Sequence, residues 1–128
     1  MRVYKTIIRP VADYGAVVYH SSLTAEQTQD LERLQNHALK CIYGAELSAR
    51  ELREQAGLTT LAERRGVLCR KFSSKLVSHP LCEHLFPKKA TRASLRGNPE
   101  IYLKTKARCD RLKNSPVFFY RRLLNGKE

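Results

Sequence analysis

An all-α fold is predicted for this 128-residue chain: a small helical bundle, thumb-like in size, with a basic irregular arm and a short C-terminal helix. Three observations predict it. Ser/Thr-x-x-Glu/Gln boxes, the signature of a helix start, occur at Thr24/Gln27, Ser48/Glu51 and Thr60/Glu63. Apolar residues return every three or four positions through the first 86 residues, which is helical spacing. No stretch of strand length alternates apolar and polar residues with any strength.

The first element is "YKTIIRPVADYGAVVYH" from Tyr4, in which Val3, Ile7, Val11, Tyr14 and Val18 share one helical face. Pro10 lacks an amide proton and Gly15 is conformationally loose, so a bend is expected there. The next helix begins at the Thr24 cap, carries an apolar stripe of Leu31, Leu34, Ala38, Cys41 and Ile42, and stops at Gly44 in a left-handed cap. "SARELREQAG" makes a helix of about two turns from Ser48 to Gly57. A longer helix follows from Thr60, with Leu61, Val67, Leu68, Phe72 and Leu76 on its buried side, and Pro80 ends it. "LCEHLF" adds at most one turn before Pro87. After Pro87 large apolar residues thin out, and an extended arm with a short strand near Ile101 to Leu103 is expected. Ser115, Pro116 and Gly126 then bracket a last helix whose Val117, Phe118, Phe119, Tyr120, Leu123 and Leu124 are too apolar to stay in water. The expected domains are therefore a helical body over 1–87, a basic arm over 88–114 and a C-terminal helix over 115–126.

Charge separates these parts. The chain holds 24 basic and 12 acidic residues, a net charge of +12. Residues 1–87 contain 12 basic and 9 acidic side chains, and residues 88–128 contain 12 basic and only 3 acidic ones. Charge concentrated in this way favours a polyanionic partner, nucleic acid above all. No apolar run reaches the eighteen or so residues a membrane span needs, and the N-terminus has no secretory h-region, so an intracellular protein is expected, the nucleus included. Cys41, Cys69, Cys82 and Cys109 form no Cys-x-x-Cys pair and are expected to be reduced.

Catalytic patterns do not assemble. Two-metal chemistry needs clustered carboxylates, whereas Asp13, Asp30 and Asp110 are far apart in sequence. The glycines do not form a phosphate-cradling loop. His37 and Cys41 lie one turn apart, but Cys41 falls on the apolar stripe and is expected to be buried and inert. His79, Cys82 and His84 are zinc-type ligands within six residues, without a fourth nearby, so no metal and no cofactor are expected. The basic residues fit a binding role better. Arg64, Arg65, Arg70, Lys71 and Lys75 occupy the polar side of the fourth helix with few acids among them. The arm adds Lys104, Lys106, Arg108, Arg111 and Lys113, with Tyr102 placed to stack on a base or sugar.

An ordered series of short motifs runs from Tyr4 to Gly126. It comprises Tyr4, Lys5, Ile8, Arg9, Pro10, Asp13, Tyr14 and Gly15, then Leu31, Glu32, Arg33 and Gln35. Leu58, Leu61, Arg64 and Arg65 follow, and Asn114, Ser115, Arg121, Leu123, Leu124 and Asn125 close the series. This series resembles the C-terminal part of reverse transcriptases from non-LTR retrotransposons, the jockey-like group in particular. The resemblance implies that the first helices correspond to a polymerase thumb gripping template-primer, and the remainder to a region that holds RNA or DNA. Under it, Arg9, Arg64, Arg65, Arg70, Lys71 and Lys75 contact phosphates from the body, and Lys104, Lys106, Arg108, Arg111, Lys113, Arg121 and Arg122 add to them. The family's aromatic-x-Asp-Asp catalytic element, its endonuclease and the zinc knuckle of some members are missing from this sequence. The expectation is thus a non-catalytic fragment of an RNA-directed DNA polymerase. The alternative is a helical interaction module that packs on a polymerase palm or another protein, since the first and last helices present much apolar surface.

Overall fold

The structure, a computed structural model, describes residues 1–88, 102 and 106–126. The chain is all-α, and among the described residues the only extended pairing is an isolated antiparallel bridge between Lys88 and Tyr102. It divides into two compact units, Met1–Leu68 and Cys69–Glu128. That division falls inside a helix rather than at the 87/88 boundary expected from composition. Composition registers where apolar residues become sparse, whereas the second unit is assembled from segments on both sides of that change.

The first unit opens with a π-helical turn, Tyr4–Ile8, followed by α1, Arg9–Asp13. Pro10 does not end the helix. The Arg9 amide bonds back to the Tyr4 carbonyl, five residues away, so the ladder changes register where proline supplies no donor. The break comes at Tyr14, whose ψ of 127° is extended, and at Gly15, whose φ of 67° is left-handed. Beyond it lie α2, Ala16–Tyr19, and a 3₁₀ turn, His20–Ser22. The Tyr19 hydroxyl donates to the Ala12 carbonyl at 2.5 Å, satisfying a terminal carbonyl of α1.

Each expected capping box forms. Thr24 and Gln27 start α3, Ala25–Tyr43; Ser48 and Glu51 start α4, Ala49–Ala56; Thr60 and Glu63 exchange the same two bonds at the start of α5, Leu61–Val77. Gly57 closes α4 at φ 60°, ψ 45°. Gly44 also has a positive φ, 102°, but its ψ of 159° is extended, so α3 ends in a glycine-only turn other than the expected left-handed cap. Tyr4, Leu39, Leu52, Ala56 and Leu58 form the core, with Met1, Ala38, Tyr43 and Leu47 packed against it.

The buried face of α3 is not the stripe read from its apolar residues. Leu34 is 66% exposed, Ile42 and Cys41 are exposed, and Gln35 and Leu39 are buried instead. Gln35 turns inward because both ends of its amide are used: Oε1 accepts from the Tyr4 hydroxyl at 3.0 Å, and Nε2 donates to the Thr59 carbonyl at 3.1 Å. A fully bonded amide can be buried at little cost, which rotates the helix away from its purely apolar register.

The second unit contains the remainder of α5, a 3₁₀ segment Pro80–Leu85, α6 at Asp110–Lys113 and α7 at Pro116–Leu124. The apolar C-terminal helix is docked within this unit: the Tyr120 ring is buried and lies 5.5 Å from Phe72, centroid to centroid. Phe86 meets Tyr102 edge to face at 6.3 Å. Asn125 imitates a neighbouring strand, accepting from the Tyr102 amide at 3.0 Å and donating to its carbonyl at 3.2 Å. Arg121 crosses to the 3₁₀ segment and donates from Nε and Nη2 to the Leu85 carbonyl. Of the expected basic arm over 88–114, residues 89–101 and 103–105 lie outside the described residues, while its end is helical at α6. No described helix is long and apolar enough to cross a membrane.

Candidate nucleic-acid interface

The basic residues singled out in sequence separate into structural and surface groups. In the first unit, Arg64 is held by Asp13, its Nε donating to Oδ2 at 2.6 Å. This pair joins the start of α5 to the end of α1. Arg9 is half-buried beside it, with its Nε out of contact with water and without a hydrogen-bond partner. Burial, and then the positive field of Arg64, lower the Arg9 pKa from its ordinary value, while Asp13 acts in the opposite sense. The same neighbourhood raises the pKa of the Tyr4 phenol, chiefly through burial and against the pull of Arg9. Glu32 completes the cluster by accepting from the Ala62 amide at 2.8 Å, so that a side chain of α3 fixes the first turn of α5.

Arg65 corrects the expectation of an exposed basic side on this part of α5. It is 1% exposed, and Nε, Nη1 and Nη2 all lack a hydrogen-bond partner. Helical spacing places it one turn beyond Leu61 and one turn before Cys69, both buried, so it shares their inward-facing stripe. A side chain so enclosed cannot reach a phosphate in this conformation. Arg64 is engaged with Asp13, and Arg9 is half-buried beside that pair.

The second unit holds the exposed cations. Arg70, Lys71 and Lys75 on α5 are exposed, as are Lys106, Arg108, Arg111 and Lys113 around α6. Arg121 belongs instead to the structure, bonded to Leu85 and lying 5.8 Å over the Phe118 ring, and Arg122 is half-buried. Lys104 lies outside the described residues. Tyr102 is 7% exposed and packed on Phe86, so its ring is not placed to stack on a base. The physical reason is that Phe86 and Asn125, distant in sequence, together enclose it.

Read by unit, the charge is more unequal than by the composition boundary. Residues 1–68 hold 9 basic and 8 acidic side chains, and residues 69–128 hold 15 basic and 4 acidic ones. In the first unit Arg33, Arg50 and Arg64 pair with Asp30, Glu54 and Asp13 respectively. Chemically, the second unit offers a set of exposed ammonium and guanidinium groups suited to phosphate oxygens, without base-reading geometry.

His79, Cys82 and His84 do not come together as ligands: among the described residues no group of three or more His, Cys, Asp or Glu side chains could hold a metal ion. His79 Nδ1 accepts from the Leu81 amide and caps the 3₁₀ segment. Cys41, expected to be buried, is exposed, with its Sγ 3.8 Å from His37 Nε2. Sequence reasoning missed the Tyr4–Gln35–Thr59 chain and the Asp13–Arg64 pair, because both join residues more than twenty positions apart. No protein family, curated protein or solved structure matches this chain.

Proposed function

We propose that the chain is a non-catalytic nucleic-acid-binding fragment of a retrotransposon RNA-directed DNA polymerase, holding template-primer through phosphate contacts. The observation that supports this most is the concentration of 15 basic against 4 acidic side chains in residues 69–128, with Lys71, Lys75, Lys106, Arg108, Arg111 and Lys113 all exposed. The ordered motifs shared with the jockey-like reverse transcriptases support the choice of nucleic acid over other polyanions. The binding set differs from the one read in sequence. Arg65 and Arg121 serve the fold, Arg64 is committed to Asp13, and the phosphate-facing set is Arg70, Lys71 and Lys75 with Lys106, Arg108, Arg111 and Lys113.

Such binding is insensitive to sequence, since phosphate contacts carry no base information. The test is fluorescence anisotropy of a labelled RNA–DNA duplex titrated with the full chain. A variant with Lys71, Lys75, Arg108 and Arg111 all changed to Gln is expected to bind at least tenfold more weakly, while Arg64→Gln stays within about twofold of the parent. Equal affinity for parent and quadruple variant would contradict the proposal.

A further inference from the structure

The C-terminal end of α5 sets hydroxyl groups among the exposed cations of the second unit. Lys71, Ser74, Lys75 and Ser78 are all exposed, and helical spacing places Ser74 one turn beyond Lys71 and Ser78 one turn beyond Lys75. By sequence the most basic context belongs to Ser73, which follows Arg70 and Lys71. Ser73 is only 5% exposed, however, and its Oγ donates to the Arg70 carbonyl at 2.7 Å. Ser74 is exposed but lies inside the helix, its Oγ donating to the Lys71 carbonyl at 2.9 Å. Ser78 differs from both. It follows Val77, the last residue of α5, and the backbone turns extended at His79, with φ −87° and ψ 122°. Its Oγ donates to two carbonyls of the final turn, that of Lys75 at 3.0 Å and that of Ser74 at 3.5 Å.

We propose that Ser78 is a phosphorylation site for a serine kinase that reads basic residues, and that phosphate there weakens nucleic-acid binding by the adjoining cations. Access is the first ground. A kinase cleft takes its acceptor segment extended, and the end of a helix opens at little cost, whereas Ser73 is released only by unwinding further into α5. Recognition is the second. Lys75 stands three residues before the acceptor, and no acidic residue occurs between Glu63 and Glu83 to offset it in an acidic cleft. In the transfer, Ser78 Oγ attacks the γ-phosphorus of ATP and the bond from that phosphorus to the β–γ bridging oxygen breaks. ADP leaves with the electron pair, and the hydroxyl proton passes to the carboxylate base of the kinase. The third ground is consequence. A phosphoserine brings about −1.5 to −2 charges to within one turn of Lys75, where it competes for that cation and repels an approaching phosphate backbone. It also removes the proton that the Lys75 and Ser74 carbonyls accept, and adds negative charge at the negative end of α5, so the final turn loosens. The effect on binding rests on the phosphate-binding role proposed for Lys71 and Lys75; the modification itself does not.

The test treats the full chain with ATP and either the catalytic subunit of cyclic-AMP-dependent protein kinase or the catalytic fragment of protein kinase C. Fragment masses locate the phosphate, and anisotropy of a labelled RNA–DNA duplex measures binding. Phosphate is expected on Ser78 in the parent and in Ser74→Ala. Before treatment, Ser78→Ala is expected to bind the duplex within about twofold of the parent. After treatment, the parent is expected to bind about tenfold more weakly than Ser78→Ala treated in the same way, a comparison that cancels any phosphate added elsewhere. A Ser78 peptide without phosphate under both kinases overturns the site. Phosphate on Ser78 with affinity equal to that of treated Ser78→Ala overturns the effect on binding and leaves the nucleic-acid reading standing. An untreated parent that does not bind the duplex overturns that reading and the regulation with it, while the mass of the Ser78 peptide still decides the site.

Discussion

Arg65 and Tyr120 show how a single side chain changes the reading of a surface. Arg65 is enclosed with three nitrogens unpartnered, a costly state for a guanidinium. Arg65→Met keeps the length of the side chain and removes the charge. It is expected to stabilise the protein by about 1–3 kcal/mol, following other buried ions replaced by apolar residues. Urea unfolding checks this, and a lower midpoint for the variant would contradict it. Tyr120 is raised above its ordinary pKa by burial first, and then by its hydrogen bond with Cys69. The folded state therefore favours the neutral phenol. That contribution is complete below pH 10, the ordinary tyrosine value, and is lost as pH rises above it, because only the unfolded chain ionises readily there. Tyr4, raised mainly by burial, adds a loss in the same direction. Tyr120→Phe is expected to flatten the decline of thermal midpoint above pH 10, and an unchanged decline would count against this assignment. Tyr120 is buried as the apolar character of its helix leads one to expect, whereas Arg65 departs from the exposed basic side expected of it. Arg64 and Arg65 look alike in a run of two arginines; Arg65 follows the inward stripe of Leu61 and Cys69, while Arg64 meets Asp13, 51 residues away.

Element boundaries were legible because they depend on chemistry within four residues. Thr24, Ser48 and Thr60 accept from the third amide beyond them, as the boxes predicted, and Gly57 adopts the left-handed geometry that other residues avoid. Thr24→Ala removes the cap of the longest helix, α3, and is expected to cost about 1 kcal/mol. A thermal midpoint equal to the parent's would show that the cap contributes nothing. Helix faces were less legible than helix ends. The stripe through Leu34, Cys41 and Ile42 follows hydropathy, but the inward face of α3 is set by Gln35, a polar residue satisfied at both ends by Tyr4 and Thr59. Single-sequence reading scores glutamine as a surface residue, so it rotates the helix wrongly. Of the two bends expected, at Pro10 and Gly15, the second occurs, with Tyr14 beside it, and the first is absorbed by a change in hydrogen-bond register.

At the scale of the whole molecule, the useful division is electrical. The fold class followed from capping and spacing, and the all-α structure agrees with it. Where the basic charge would gather was legible in part: the excess toward the C-terminus is in the sequence, but the unit that carries it begins at Cys69, within α5. That shift brings Arg70, Lys71 and Lys75 into the same unit as Lys106, Arg108, Arg111 and Lys113, while leaving the first unit close to neutral. The proposed task of phosphate binding thereby falls to the second unit. Phosphate binding has a thermodynamic signature that no protein–protein contact shares, the release of condensed counterions. The most direct measurement is the affinity of the full chain for a nucleic-acid duplex as salt is raised. With about six phosphates neutralised, the logarithm of the association constant is expected to fall with the logarithm of salt concentration at a slope of about −5, and the Lys71, Lys75, Arg108 and Arg111 quadruple Gln variant to give a slope nearer −2. A slope near zero for the parent, or the same slope for both proteins, would contradict the assignment of nucleic acid to these residues.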